Sequence, residues 1–460
     1  MHDQVIKELK QAVGPEHVLT AKEDLLCYAY DATPGFSHMP DVVVIPATTE
    51  EVAAVLKLAD KEKIPVYPRG SGTNLSAGTV PMKGGIVLLM TRFNKIIEVD
   101  AANLVATAEP GVIVSDLNKA VGEFGLIYPP DPGTVTTATL GGTVAENSGG
   151  LRGLKYGVSK HYIMGLEVVL ADGKIIQTGG KNVKDVAGYD LTKLFTGSEG
   201  TLGVITKIIV KLMPAPEASK AMLATFSNLD NAGSAISAII ANKIIPATLE
   251  IMDNATIRTV EAYAKVGLPL DAQAILLIEV DGIPAVVENE ATKVIEVLEA
   301  NHADQIQVAK DTAERDKLWA ARRAALPALA KLRPTTFVED ATVPRSKVPD
   351  MIRAISATAA KYNLTIGTFG HAGDGNLHPT IVCDIRDAEE IERVHKAMDE
   401  IFATAIALGG TLSGEHGIGL GKLKYMEDQF GAAGLSAMRA IKKALDPNCI
   451  LNPGKLVGEC

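Results

Sequence analysis

The sequence is short of several things, and each shortage narrows what the protein can be. Its 460 residues include four cysteines, Cys27, Cys383, Cys449 and Cys460, and no two form a C-x-x-C pair. Zinc-ribbon and iron–sulfur centres therefore find no support, and reduced thiols are expected. A redox protein built from this chain would carry no cluster of its own. No apolar stretch approaches the length of a membrane span. The N-terminal MHDQVIKELKQAVG interleaves acidic and basic residues along an amphipathic helix. It lacks the apolar core of a signal peptide and the Arg-rich, acid-poor character of a transit peptide, so a cytoplasmic protein is expected. Basic blocks are also missing. The net charge is −10, and an acidic surface repels phosphate backbones, which disfavours nucleic-acid binding as a main role.

What is present reads as an ordinary soluble protein, 47% hydrophobic and 22% charged, too long for a single core. Residues 1–60 open with two helical patterns around a short buried-strand signal, Asp41 to Pro46. Residues 60–212 are dense in glycine and β-branched residues, and read as short strands joined by tight loops. Those strands are Ile64–Tyr67, Gly85–Leu89, Ile96–Asp100, Leu104–Ala108, Ile163–Leu170 and Gly203–Leu212. Pro214 and Pro216 mark a boundary. Beyond it, helices over Asn231–Lys243, Val286–Asn301 and Val348–Tyr362 alternate with strands such as Ala274–Val280, the pattern of an α+β domain with an antiparallel sheet.

Three glycine-rich loops carry most of the information. The first, Pro68 to Gly78 (PRGSGTNLSAG), follows a predicted strand. Its glycines let the backbone approach an anion, and Ser71, Thr73 and Asn74 add donors. The spacing is neither a dinucleotide fingerprint nor a P-loop. The second runs from Asp131-Pro132-Gly133-Thr134 through Thr139 to Gly150 (TLGGTVAENSGG). So few bulky side chains leave space for something flat or polar. The third, Gly188 to Thr206, passes from a helix through FTGSEG into a strand.

The ordered set PRGSGTN, GGTVAENSGG and FTGSEGTLGVIT, with the ending LDPNCILNPGKL, resembles the FAD domain of vanillyl-alcohol-oxidase-like (PCMH-type) flavoproteins. It is most similar to the branch containing D-lactate dehydrogenase, D-2-hydroxyglutarate dehydrogenase and the flavoprotein component of glycolate oxidase. The resemblance covers essentially the whole chain. It implies a fold of α+β class with three parts. These are an FAD-binding domain of two α+β subdomains over 1–213, an α+β substrate cap over 214–412, and a C-terminal segment over 413–460 that packs back on the FAD domain. It also implies FAD contacts at Arg69, Gly70, Ser71, Gly72, Thr73 and Asn74 for the pyrophosphate. Gly133, Thr134, Gly142, Ser148 and Gly149 would lie beside the isoalloxazine and ribityl, and Gly200, Thr201, Gly203 and Ile205 around the adenine and ribose. Many relatives attach the flavin through a His or Cys in the first two loops. Neither residue occurs there, so non-covalent FAD is expected.

Three of the nine histidines fall in two unusual segments, GHAGDGNLH (Gly370 to His378) and SGEHGIG (Ser413 to Gly419). Two imidazoles across a glycine turn can face one ion, and a carboxylate from elsewhere makes three protein ligands with a position left open, the pattern of a catalytic metal site. Nitrogen and oxygen donors without thiolate suit Zn²⁺, Fe²⁺ or Mn²⁺. The alternative is a set of hydrogen-bonded histidines in tight turns. The family resemblance implies that His371, His378 and Glu415 are the ligands. It leaves His416 as the base that takes the substrate's hydroxyl proton; the competing role is to orient Glu415. Trp319-Ala320-Ala321-Arg322-Arg323 reads as helix, and a guanidinium there can grip a carboxylate bidentately. The resemblance points to Arg322 for this, with Arg323 facing away, and to Asn376 as a second substrate contact. Some relatives that take a longer dicarboxylate have a lysine shortly before a D-x-[ST]-x-P segment. The stretch Thr336 to Pro344 (TFVEDATVP) has none, which favours a monocarboxylate.

The expected function is an FAD-dependent dehydrogenase (EC 1.1 type) oxidising D-lactate or a related small D-2-hydroxy acid to the 2-oxo acid. Electrons would leave to a soluble partner, an electron-transfer flavoprotein or an iron–sulfur subunit, with no nucleic acid and no membrane span involved. The alternatives are a glycolate or D-2-hydroxyglutarate dehydrogenase, an oxidase that reduces oxygen, and a non-catalytic FAD-containing electron-transfer subunit. The last should have lost the set His371, His378, Glu415 and His416, which this sequence retains in full.

Overall fold

The computed structural model describes residues 1–459 and divides into two compact units. The first comprises 1–149, 158–215 and 415–460, and the second 150–157 and 216–414.

Within the first unit a four-stranded sheet runs in the order Val18–Leu19, Val42–Val44, Ile86–Leu89, Val66–Arg69. The last three strands are parallel, and Val42, Val43 and Val44 are wholly buried, as a parallel strand covered on both faces requires. The helices Asp3–Val13 and Thr49–Glu62 cover it, with Leu9, Val52, Val55 and Leu56 turned into the core. The C-terminal chain extends this sheet: Val66 N donates to Ile450 O (2.7 Å) and Asn452 N to Val66 O (2.8 Å). A five-stranded antiparallel sheet follows the order Ile96–Asp100, Val105–Ala108, Val204–Lys211, Ile163–Val169, Ile175–Gly179. The strand expected over 64–67 begins at Val66, after Pro65, which has no N–H to give to a ladder.

The second unit is an eight-stranded antiparallel sheet with helices on both faces. Its middle strands, Ala274–Gly282, Thr248–Asp253, Thr365–His371 and Asn376–Cys383, are buried almost throughout. Side chains alternate between faces. One face, with Leu276, Ile278, Leu249 and Ile251, packs against the helices Leu229–Ala241, Pro284–Ala300 and Val348–Tyr362. The other, with Ile275, Leu277, Met252 and Phe369, meets Asn254–Ala264, Thr312–Arg323 and Ala325–Ala330.

Residues 150–157 depart from the expected boundaries, which kept them in the first domain. Lys155 Nζ donates to Asp281 O (2.6 Å), Tyr156 Oη to Asp281 Oδ2 (2.7 Å), and Leu154 lies against Gly373. These ties hold the short excursion to the second unit's sheet. Cys27 and Cys383 are free thiols, and Cys460 lies outside the described residues.

Candidate active site

In the first unit the three glycine loops converge through their main chains. A Cβ on Gly70 would fall 2.2 Å from Thr139 Oγ1, and one on Gly200 would meet Pro68 at 3.3 Å. Gly197 N donates to Val144 O and Glu199 N to Ala145 O, each at 2.9 Å, tying the third loop to the second. Thr139 caps the helix Leu140–Glu146 by accepting from Gly142 N (3.3 Å).

The expected FAD residues divide by their occupations. Arg69 is buried and spends its guanidinium inside the loop, donating to Tyr30 O (2.8 Å) and Thr79 Oγ1 (3.2 Å). Burial draws its pKa down, against the pull of Asp31 and the nearby tyrosines. Asn74 holds Gly78 N (2.8 Å). Thr201 gives its hydroxyl to Ser198 O (2.6 Å), Gly203 packs under Val168, and Ile205 is a buried strand residue paired with Val168. Gly72 and Thr73 are half-buried, and Gly149 is buried with Ser148 half-buried beside it. Ser71, Gly133 and Thr134 are exposed, and a Cβ on Gly133 would touch nothing. The loops thus form a main-chain cradle whose open side carries small and hydroxylic residues, which suits a flat, phosphate-bearing group.

Glu415 and His416 belong to this unit. A Cβ on Gly149 would come 2.8 Å from Glu415 Oε2, which places that carboxylate against the second loop. His416 Nε2 stands 3.9 Å from Glu415 Oε1. The following turn is pinned by Glu199, which accepts from Ile418 N and Gly419 N at 2.7 Å each. Neither Glu199 nor its neighbour Glu146 was singled out from the sequence. Burial, reinforced by Glu199, holds the Glu146 pKa well above the ordinary carboxylate value.

In the second unit the alternation of strands assembles a polar cluster on the face that carries Phe369 and Trp319. The pairings Ile251 with Gly370, Phe369 with His378 and His371 with Asn376 set Glu250, His371, His378 and Asn376 side by side on three neighbouring strands. The rings of His371 and His378 meet edge to face, 5.1 Å apart. Their nitrogens approach within 4.8 Å, as do a ring nitrogen of His378 and an oxygen of Asp340. Asp340 is wholly buried and accepts from Ser413 Oγ (2.6 Å) and Gly414 N (2.9 Å), fixing the two residues that precede Glu415 in the chain.

The helix Thr312–Arg323, capped by Asp311, supplies the cations. Arg315, Trp319 and Arg322 share one side of it at helical spacing. Arg315 grips Glu279 with two bonds (2.9 and 2.8 Å), and Trp319 Nε1 donates to the same carboxylate (2.7 Å). Arg322 is buried, donates from Nε to Glu250 Oε2 (2.6 Å) and lies 4.6 Å from the Phe369 ring centroid. Arg323 is exposed and bonds back to Asp316 O. Glu250 also holds His371 Nδ1 through its other oxygen, at 2.6 Å. Burial pushes the Glu250 pKa up, but His371 and Arg322 outweigh it and hold the carboxyl below its usual range.

Known proteins now bear on this geometry. Residues 40–179 match the model of an FAD binding domain, and residues 215–456 that of the FAD linked oxidases' C-terminal domain. The chain belongs to the FAD-linked oxidase family. It is 53% identical to the glycolate oxidase subunit GlcD of Bacillus subtilis, over 98% of this chain and 96% of that one. It is 36% identical to a D-lactate dehydrogenase of Anaerostipes hadrus, over 98% and 97%. The structure of a p-cresol methylhydroxylase superposes with a TM-score of 0.81 at 19% identity, covering 99% of this chain and 97% of that one. That likeness establishes the PCMH-type fold. As an FAD-linked oxidoreductase, the protein takes FAD as its cofactor. The two residues that organise the second unit's cluster, Glu250 and Asp340, escaped the sequence reading. The signal available was a lone Glu inside the buried strand TLEIMD.

Proposed function

We propose that this FAD-linked oxidoreductase is a dehydrogenase of small 2-hydroxy acids, D-lactate or the achiral glycolate, producing the 2-oxo acid. The observation that carries this reading is a guanidinium and an imidazole held on one buried carboxylate, with a second imidazole edge-on to the first. Arg322 has no acceptor other than Glu250 among the described residues, and it donates to Glu250 through Nε alone. Both Nη groups are left for a substrate carboxylate. Asn376, buried beside His378, supplies a further polar contact. His371, His378 and Glu415 provide two nitrogens and a carboxylate, a donor set that fits Zn²⁺, Fe²⁺ or Mn²⁺. A divalent ion held there would lower the pKa of the substrate's hydroxyl.

His416, whose Nε2 stands 3.9 Å from Glu415 Oε1, would then accept the hydroxyl proton. When bound non-covalently, FAD would supply the acceptor for the hydride that leaves Cα. The proton would end on His416, and both electrons would leave with the hydride. The names of the relatives support the class, and the absence of lysine in the Thr336–Pro344 stretch favours a monocarboxylate over D-2-hydroxyglutarate. The electron acceptor fits a separate protein, an electron-transfer flavoprotein or an iron–sulfur subunit, because this chain has no cluster motif. No helix among the described residues is long and apolar enough to cross a membrane.

The test is anaerobic bleaching of the protein-bound flavin across glycolate, both lactate enantiomers and both 2-hydroxyglutarate enantiomers. D-lactate or glycolate should bleach it fastest. Silence toward every hydroxy acid would overturn the proposal.

A further inference from the structure

The buried carboxylate of Glu250 is hydrogen-bonded both to the arginine assigned to the substrate and to a histidine assigned to the ion. Its Oε1 lies 2.6 Å from His371 Nδ1 and its Oε2 lies 2.6 Å from Arg322 Nε, with the residue 1% exposed. We propose that Glu250 is the positioning residue of the site, fixing the His371 tautomer and the Arg322 orientation together. This rests on the proposed roles of those two residues.

Donors and acceptors decide the arrangement. An ionised carboxylate can only accept, so His371 Nδ1 must carry its proton and Nε2 presents a lone pair, the form an ion needs. A guanidinium can only donate, so Arg322 is anchored through Nε with its two Nη groups pointing elsewhere. The strand register makes the bridge possible, because Glu250 stands one step beyond the Ile251–Gly370 pair and therefore faces His371. Phe369, under the guanidinium and against the His378 ring at 5.7 Å, closes the cluster from the apolar side.

A glutamine at this position separates the two duties. Its single amide oxygen must face Arg322, which has nothing to accept with. Its amide nitrogen then faces His371 Nδ1 and forces that atom to become the acceptor, so the proton moves to Nε2 and the lone pair is lost. Glu250→Gln should therefore lower Zn²⁺ affinity by about 10–100-fold, read by competition with a chromophoric chelator. Its KM for D-lactate or glycolate at saturating metal should stay within about threefold. Glu250→Ala, which frees both partners, should lose Zn²⁺ affinity and also raise KM by roughly tenfold or more. FAD content and Tm of each variant report on folding, and the near-isosteric glutamine decides the matter should the alanine variant not fold.

Wild-type Zn²⁺ affinity in Glu250→Gln, or a KM that rises as far as metal affinity falls, would overturn the proposal, as would a wild-type protein that holds no divalent ion. A wild-type flavin that no 2-hydroxy acid reduces would instead remove the proposed function. The Zn²⁺ measurement would still decide the part played by Glu250.

Discussion

In the first unit, functional groups are placed by main chain: three loops meet where glycines let one backbone lie against another, and few charged side chains reach the open side. In the second unit, placement is done by charged side chains buried on a sheet face, each held by a partner of opposite sign. Glu279 has Arg315 and Trp319, Glu250 has Arg322 and His371, and Asp281 has Lys155 and Tyr156. The first arrangement is sensitive to volume and the second to charge. A methyl group should damage the loops, whereas an isosteric loss of charge should damage the sheet face.

The largest expected effect crosses this division. His416 sits in the loop-built unit, yet its proposed duty is proton transfer. His416→Ala should leave FAD content unchanged and slow flavin reduction by D-lactate or glycolate about 10²–10⁴-fold. Stopped-flow absorbance reads the rate, and an unchanged rate would make His416 an orienting residue for Glu415. Next comes the charge test. Arg322→Met keeps most of the volume but takes the guanidinium from the buried Glu250 carboxylate and leaves it His371 alone. It should raise KM and destabilise the second unit by roughly 3–5 kcal/mol, read as a drop in Tm. The volume test is smaller. Gly70→Ala puts a Cβ 2.2 Å from Thr139 Oγ1, so the first two loops must part. Overpacking of this kind costs about 1–3 kcal/mol, and it should appear as weakened FAD retention on gel filtration with KM little changed. Adding Thr139→Ala should restore part of the retention, less the value of the helix cap, about 1 kcal/mol.

The same contrast explains what could be read from the sequence. The loops announce themselves because backbone proximity demands glycine, and glycine at fixed spacing is visible in one sequence. The histidine segments are visible for the same reason: Gly375, at φ +85° with a would-be Cβ 1.9 Å from Val343 O, tolerates no side chain. The helix carrying Arg322 was legible from its pattern, and the choice of Arg322 on it came from the family resemblance. Glu250 was not, because its meaning arises from strand register across more than a hundred residues, and a Glu inside TLEIMD looks like any strand residue. The excursion 150–157 was hidden likewise, since its anchor, Asp281, lies far along the chain. Among the expected FAD contacts, Arg69, Asn74 and Thr201 prove to spend their side chains on holding the loops in shape, a distinction that residue type does not reveal.

The smallest expected effect concerns how the C-terminal chain secures the first loop. Lys455 is 1% exposed, donates from Nζ to Gly78 O (2.8 Å) and Val80 O (2.7 Å), and lies 4.9 Å from the Tyr67 ring centroid. Burial lowers its pKa to about 7, although Asp31, Glu199 and Glu146 pull the other way. An unfolded lysine stays protonated up to about 10.4. Between those values the unfolded chain therefore binds the extra proton, and stability should rise with pH. Below about 7 both states are charged and this contribution is flat. Lys455→Met should accordingly flatten the dependence of Tm on pH above 7 while leaving the second unit's melting unchanged. A mutant whose Tm climbs with pH as steeply as the wild type would show that the lysine stays charged in the fold. Its carboxylate neighbours would then outweigh burial, and the first unit would depend on paired charge as much as the second does.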